Sequence, residues 1–123
     1  MGELAVTNTI ERYFFSLNAK DPQGISVACH FPHFRVMGNN NVYEWKTGDD
    51  LFLWFQNHVS DVGWGYSELG ELSLEKFSDT KYHALVRFGR YQADGTIIGL
   101  YKSLYIVIFK DGRWGITDGS GSG

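Results

Sequence analysis

The chain has 123 residues, the size of one domain, and folding at that length removes about two-thirds of the unfolded surface from water. Hydrophobic residues make up 43% and charged residues 20%, which excludes a disordered chain; at a net charge of −3, with Lys and Arg scattered singly, no basic stripe invites nucleic acid or an anionic membrane. The single cysteine, Cys29, leaves no internal disulfide, and neither a membrane-spanning apolar run nor a signal-peptide pattern is present, so the expectation is a cytoplasmic single domain over 1–118 with a flexible Gly/Ser tail over 119–123.

Leu4, Val6, Ile10, Tyr13, Phe14 and Leu17 recur at three- and four-residue spacing, which predicts a helix over about 3–19 with one apolar stripe. Asp21-Pro22 stops the chain and restarts it, Asp as N-cap and Pro as first helical residue, for a short helix over about 22–30 that buries Ile25, Ala28 and Cys29. Phe34–Met37 and Val42–Trp45 flank Gly38-Asn39-Asn40-Asn41, residues that tolerate positive φ, and read as a hairpin. Thr47 with Asp50 has capping-box spacing and opens a third helix whose apolar residues Leu51, Phe52, Trp54, Phe55 and Val59 nearly encircle it. Strands follow at about 66–77, 81–92, 96–109 and 113–118, with turns at Asp79-Thr80, Asp94-Gly95 and Asp111-Gly112.

The strand at 96–109 is apolar on both faces. One shows Leu100, Lys102, Leu104, Ile106 and Ile108; the other shows Tyr101, Ser103, Tyr105, Val107 and Phe109. Such a strand is normally covered on both sides, and three helices cover only one. A homodimer through the Tyr101, Tyr105, Val107 and Phe109 face is the expectation.

The element order of two helices, a hairpin, a third helix and a long antiparallel meander resembles the nuclear transport factor 2-like superfamily. Ile10-Glu11-Arg12-Tyr13 followed by Leu17-Asn18-Ala19-Lys20-Asp21 resembles the first helix and its exit in ketosteroid isomerases and SnoaL-like proteins. Phe31-Pro32-His33-Phe34-Arg35, the run from Arg87 to Gly95, Ser103–Val107 and Asp111–Ile116 resemble a bacterial SnoaL-like branch. The resemblance implies an α+β fold: a cone-shaped curved sheet of about six strands, three helices on its concave side, and a ligand pocket within the cone. One fold hosts many functions, so activity must be argued from the site.

Tyr13 matches the tyrosine that, in ketosteroid isomerases, donates a hydrogen bond to a developing enolate oxygen; otherwise it is a core tyrosine satisfied locally. The catalytic aspartate of those enzymes falls near Met37, Gly38 or Asn39, and the protonated aspartate near Leu104, so their full constellation is missing. Asp21 aligns with a catalytic aspartate of SnoaL-like dehydratases and dehydrochlorinases, but Trp64-Gly65-Tyr66-Ser67 offers no partner histidine and the N-cap role explains Asp21.

His33 and Arg35, two apart on a strand, share a face and place a base beside a fixed positive charge, with Glu44 of the next strand as a partner; a polar face of an edge strand is the competing reading. Lys102 among Leu100, Leu104 and Ile106 is a ligand-binding cation, a paired cation or a snorkelling one. Aromatic residues make up 16% of the chain, which suits a flat ring-bearing ligand, with Trp45 and Trp54 as its contacts. Cys29, His30 and His33 form a loose C-H-x-x-H cluster with no fourth ligand in view, and no phosphate loop or cofactor motif is present, so no metal or cofactor is expected. These readings converge on a binder of a small hydrophobic or aromatic molecule. Any chemistry would be cofactor-independent isomerisation, cyclisation or dehydration, with Tyr13 and His33 as the acid–base pair. The alternative is a non-catalytic homodimeric interaction module with a residual pocket.

Overall fold

The computed structural model describes residues 2–123. Helices α1 (Gly2–Asn18) and α2 (Pro22–Ala28) precede strands β1 (Cys29–Val36) and β2 (Val42–Trp45). Helix α3 (Gly48–Val59) runs into a 3₁₀ turn at Ser60–Val62, and β3 (Trp64–Ser78), β4 (Lys81–Gln92), β5 (Ile97–Lys110) and β6 (Arg113–Gly121) complete the chain. The strands form one open sheet in the order β2-β1-β6-β5-β4-β3, antiparallel throughout except where β1 runs parallel to β6. The three helices and the six-stranded mixed sheet are the α+β roll expected. No helix among the described residues is long and apolar enough to cross a membrane.

The local signals act as their chemistry requires. Asp21 Oδ1 accepts the backbone N–H of Gln23 (3.1 Å) at the start of α2, and Thr47 Oγ1 accepts that of Asp50 (3.1 Å) at the start of α3. The β1–β2 loop places Asn40 at φ 65°, and the β5–β6 turn places Asp111 at 54° and Gly112 at 77°, the left-handed values that suit these residue types. Asn18 clamps the end of α1 to β3: its Nδ2 donates to the Ser67 carbonyl and its Oδ1 accepts the Ser67 N–H, both at 2.8 Å.

Four expectations are corrected. Helix α2 ends at Ala28, and Cys29 and His30 already belong to β1, where Cys29 pairs with Ile116. Phe31, immediately ahead of Pro32, is biased toward extended backbone, and the pairing of Cys29 with Ile116 of β6 takes the place of another helical turn. Leu4 lies off the buried stripe of α1, and Leu53 of α3 is exposed, so α3 is covered on one side only. The Gly/Ser segment is strand as far as Gly121: Gly119 pairs with both Arg35 and Tyr105, and Gly121 with Ser103.

The faces of β5 are the fourth. Tyr105 (2% exposed) and Val107 (0%) lie in the core under the helices, while Leu100 (73%) and Leu104 (38%) face outward. Lys102 therefore stands on the outer face, beside Arg87, and does not line the cone. The face expected to dimerise is the interior one. α1 supplies Val6, Ile10, Tyr13, Phe14 and Leu17 to the core, and α3 supplies Leu51, Phe52, Phe55 and Val59. They pack against Tyr82, Ala84, Val86 and Phe88 of β4, Tyr105 and Val107 of β5 and Ile116 of β6.

Candidate functional site

The helices do not fill the sheet's concave face completely. They leave a narrow cavity of about 30 Å³, walled by Tyr13, Phe14 and Leu17 of α1, Leu51, Trp54 and Phe55 of α3, and the inward positions of the sheet. Its polar groups are Tyr13, Arg35 of β1, Ser67 of β3, Arg90 of β4 and Ser103 of β5. Each reaches inward by a simple periodicity. Tyr13 lies on the helical stripe; Arg90 continues the alternation Tyr82, Ala84, Val86, Phe88; Ser103 lies two residues before Tyr105.

His33 and Arg35 do share the inner face, and both are buried. Their roles separate. His33 Nδ1 donates to the Ile116 carbonyl at 3.0 Å, which leaves Nε2 as the acceptor. Arg35 donates to that Nε2 through Nη2 (3.0 Å) and Nε (3.3 Å), and through Nη2 to the Tyr13 hydroxyl (3.3 Å). Burial first, and the Arg35 charge second, hold the His33 pKa down to about 3. The imidazole is neutral, its lone pair is engaged, and it does not touch the cavity. As found, His33 orients Arg35 and is not placed to take a substrate proton.

Tyr13 lines the cavity. Its hydroxyl accepts from Arg35 and keeps its own proton to give, and burial, the largest cause, raises its pKa to about 12. It stays neutral near pH 7 and can hydrogen-bond an electron-rich oxygen. The Arg35 guanidinium lies 5.0 Å from the Tyr105 ring centre, 5.7 Å from that of Tyr13 and 5.8 Å from that of Trp45. Contacts of this kind each contribute about 0.5–2 kcal/mol.

Arg90 is the group that the sequence reading missed, although its place in the β4 alternation was a readable signal. It is 7% exposed and boxed by aromatic rings, with Tyr101 at 4.7 Å, Phe55 at 5.5 Å and Phe88 at 5.6 Å. Burial presses its pKa below the ordinary arginine value, and its Nε has no hydrogen-bond partner. A guanidinium stays charged all the same. Ser67 was also missed, and no residue pattern marked it; its hydroxyl accepts the Trp64 indole N–H at 2.9 Å.

Trp45 and Trp54 both line the cavity. With Tyr43 and His58 they form an aromatic cluster, Trp54 stacking on His58 with ring centres 4.5 Å apart and tilted against Trp45 at 5.2 Å. His58 Nε2 in turn donates to the Gly123 carbonyl (3.1 Å), and Gly121 and Gly123 line the cavity opposite. Glu44 lies on the outer face opposite Phe34, so it does not partner His33 and Arg35. Asp21 acts as a helix cap away from the cavity. Cys29, His30 and His33 do not converge: Cys29 is in the core, and the rings of His30 and His33 are bonded to the carbonyls of Arg113 and Ile116. Among the described residues no three His, Cys, Asp or Glu side chains gather as a metal ion requires.

No protein-family model and no curated protein matches the sequence. Solved structures do match. An NTF2-like protein of unknown function from Shewanella oneidensis superposes with a TM-score of 0.75 at 12% identity over 98% of each chain. This is the NTF2-like fold. An uncharacterised protein with a cystatin-like fold from Caulobacter vibrioides matches at TM-score 0.74 and 15% identity, over 98% of this chain and 88% of that one. A type 2 hexachlorocyclohexane dehydrochlorinase matches at TM-score 0.71 and 14% identity, over 98% of this chain and 83% of that one. Likeness at such identities carries the fold and not the chemistry. The NTF2-like frame here encloses two arginines, a tyrosine and two serines, with no Asp, Glu or His side chain on the cavity wall among the described residues.

Proposed function

We propose that this NTF2-like protein binds a small ring-bearing molecule within the cone, Tyr13 giving a hydrogen bond to the ligand and Trp45 and Trp54 giving it apolar contact. The observation that carries the reading is the mixed lining of the cavity, in which hydroxyl and guanidinium donors converge among aromatic walls. A cavity of about 30 Å³ holds roughly two waters, so a bound ring requires its walls to part. Binding, rather than proton transfer, suits a wall whose side chains supply donors and no carboxylate or imidazole base. A thermal-shift screen against aromatic ketones, phenols and acids tests it. A ligand at 100 times its Kd adds about 2.7 kcal/mol, roughly 8–15 °C in Tm for a domain of this size. Tyr13→Phe is expected to weaken any hit. A screen without hits rejects the reading.

The outer sheet face supports a second element of the proposal, self-association. Val42, Val36, Ser120, Leu104 and Leu85 form one row across it, continuous through β2, β1, β6, β5 and β4, and its four large residues are all exposed. Arg87 and Lys102 flank the row on one side, and Glu44 and Asp118 lie along it nearer β1 and β2. A two-fold related copy can therefore set opposite charges against each other over a shared apolar band, and a second copy of the chain is the occupant assigned. Light scattering is expected to give a dimer mass that Leu104→Glu converts to a monomer mass. A monomer for the unaltered chain rejects it.

A further inference from the structure

The cavity buries two positively charged side chains and no negatively charged one. Arg35 (6% exposed) and Arg90 both line it, no Asp or Glu does, and the ion pair found among the described residues, Lys76–Asp79, is on the surface. Burying a charge without a counter-charge is expensive, and aromatic faces offset only part of that cost. Arg35 has neutral acceptors in His33 and Tyr13; Arg90 Nε has none. A fold that keeps such an arrangement in its core is prepared for an anion brought from outside.

Size and shape narrow the anion. The free volume matches about two water-sized groups, which is what the two oxygens of a carboxylate occupy. Guanidinium forks suit a planar carboxylate. Beyond the arginines the wall turns to Trp45, Trp54 and Phe55, which suits a flat apolar body and not a second charged group. We infer that the ligand is an aromatic carboxylic acid, its carboxylate received by Arg35 and Arg90 and its ring by Trp45 and Trp54. This rests on the pocket reading above and names the class of ligand and the residue, Arg90, that selects it.

The test sets acids against their neutral amides: phenylacetate with phenylacetamide, indole-3-acetate with its amide, and 2-naphthoate with 2-naphthamide. Each pair is titrated calorimetrically into the unaltered chain and into Arg90→Met. The expected result is an acid bound at least tenfold more tightly than its amide, with that preference lost in Arg90→Met. The ligand-free Arg90→Met protein is expected to melt no lower than the unaltered chain, because an uncompensated charge has been removed. Where Arg90→Met does not fold, Arg90→Lys serves, and a weakened acid preference is expected because the fork is gone. Equal binding of acid and amide overturns the inference and leaves the pocket reading standing. An acid preference that survives at Arg90 variants removes Arg90 from the recognition and overturns its assignment. No binding by any member of the series overturns the inference and the pocket reading together.

Discussion

Lowering the pH from 7 to 5 should destabilise this protein, chiefly through His33. His33 is wholly buried, its Nδ1 proton is held by the Ile116 carbonyl, and its Nε2 accepts from a guanidinium, so the folded state has no place for a second proton. Burial first, and the Arg35 charge second, lower its pKa from the ordinary histidine value of 6.5 to about 3. The unfolded chain takes up the proton first as pH falls. The contribution of His33 is therefore full above about pH 6.5 and is lost progressively toward pH 3. At 1.36 kcal/mol per unit of difference, the loss between pH 7 and pH 5 is about 2 kcal/mol. For a chain of this length that lowers Tm by about 6–12 °C. His30 titrates in the same direction, its pKa lowered by burial and by Arg113, so the unaltered chain carries both effects. His33→Gln separates them, since an amide can donate to the Ile116 carbonyl and accept from Arg35 without titrating. Urea melts of both proteins at pH 7, 6 and 5 give the comparison, with His30→Gln as the control. The variant should show less than half the pH slope of the unaltered chain. A flat profile for the unaltered chain, or a full slope in His33→Gln, would refute the reasoning.

Three further outcomes follow from single contacts. Asp21→Ala removes the cap of α2 and should cost about 1 kcal/mol in chemical denaturation, with no effect on ligand binding because Asp21 is remote from the cavity. Gly119→Ala should cost about 1–3 kcal/mol, since its Cβ would stand 2.7 Å from Arg35 Nε and 3.0 Å from Tyr105 Cδ1; a neutral melt would mean that Arg35 is free to move. Cys29, buried and with its thiol pKa raised to about 12 chiefly by burial, should resist iodoacetamide in native buffer and react once the chain is unfolded, as read by mass spectrometry.

Most of the architecture was legible because its signals are local. The caps at Asp21 and Thr47, the left-handed turn residues and the strand alternation each report a short-range preference, and the tertiary structure agrees with them. The facing of β5 was not. Alternation divides Leu100, Lys102, Leu104 and Ile106 from Tyr101, Ser103, Tyr105 and Val107, but with apolar residues on both sides it cannot say which set meets the helices. That is settled through the ladder, which sets Tyr105 beside Ala84 and Gly119 and Val107 beside Tyr82 and Ile116, all in the helix-covered layer. Placing Lys102 in the pocket failed for the same reason. For β4 the single-strand pattern was sufficient, since Tyr82, Ala84, Val86 and Phe88 carry the alternation straight to Arg90.

The terminal glycines show how composition conceals a site. Read by content, 119–123 is a low-complexity tail, because glycine and serine favour no packed structure of their own. Read by neighbours, each inward glycine leaves room for one side chain of the cavity wall. A Cβ at Gly119 would meet Arg35, one at Gly121 would meet the Ser103 hydroxyl at 2.9 Å, and one at Gly123 would meet Arg90 Nη1 at 3.0 Å. Strand pairing with β1 and β5 supplies the order that these residues lack intrinsically. The bulk missing from β6 and the positive charge buried on β1 and β4 are thus two aspects of one arrangement. A larger residue at 119 would have to displace Arg35 from His33 and Tyr13, and with it the donor set of the cavity. Glycine in this strand is therefore a condition of the site and not a sign that the domain has ended.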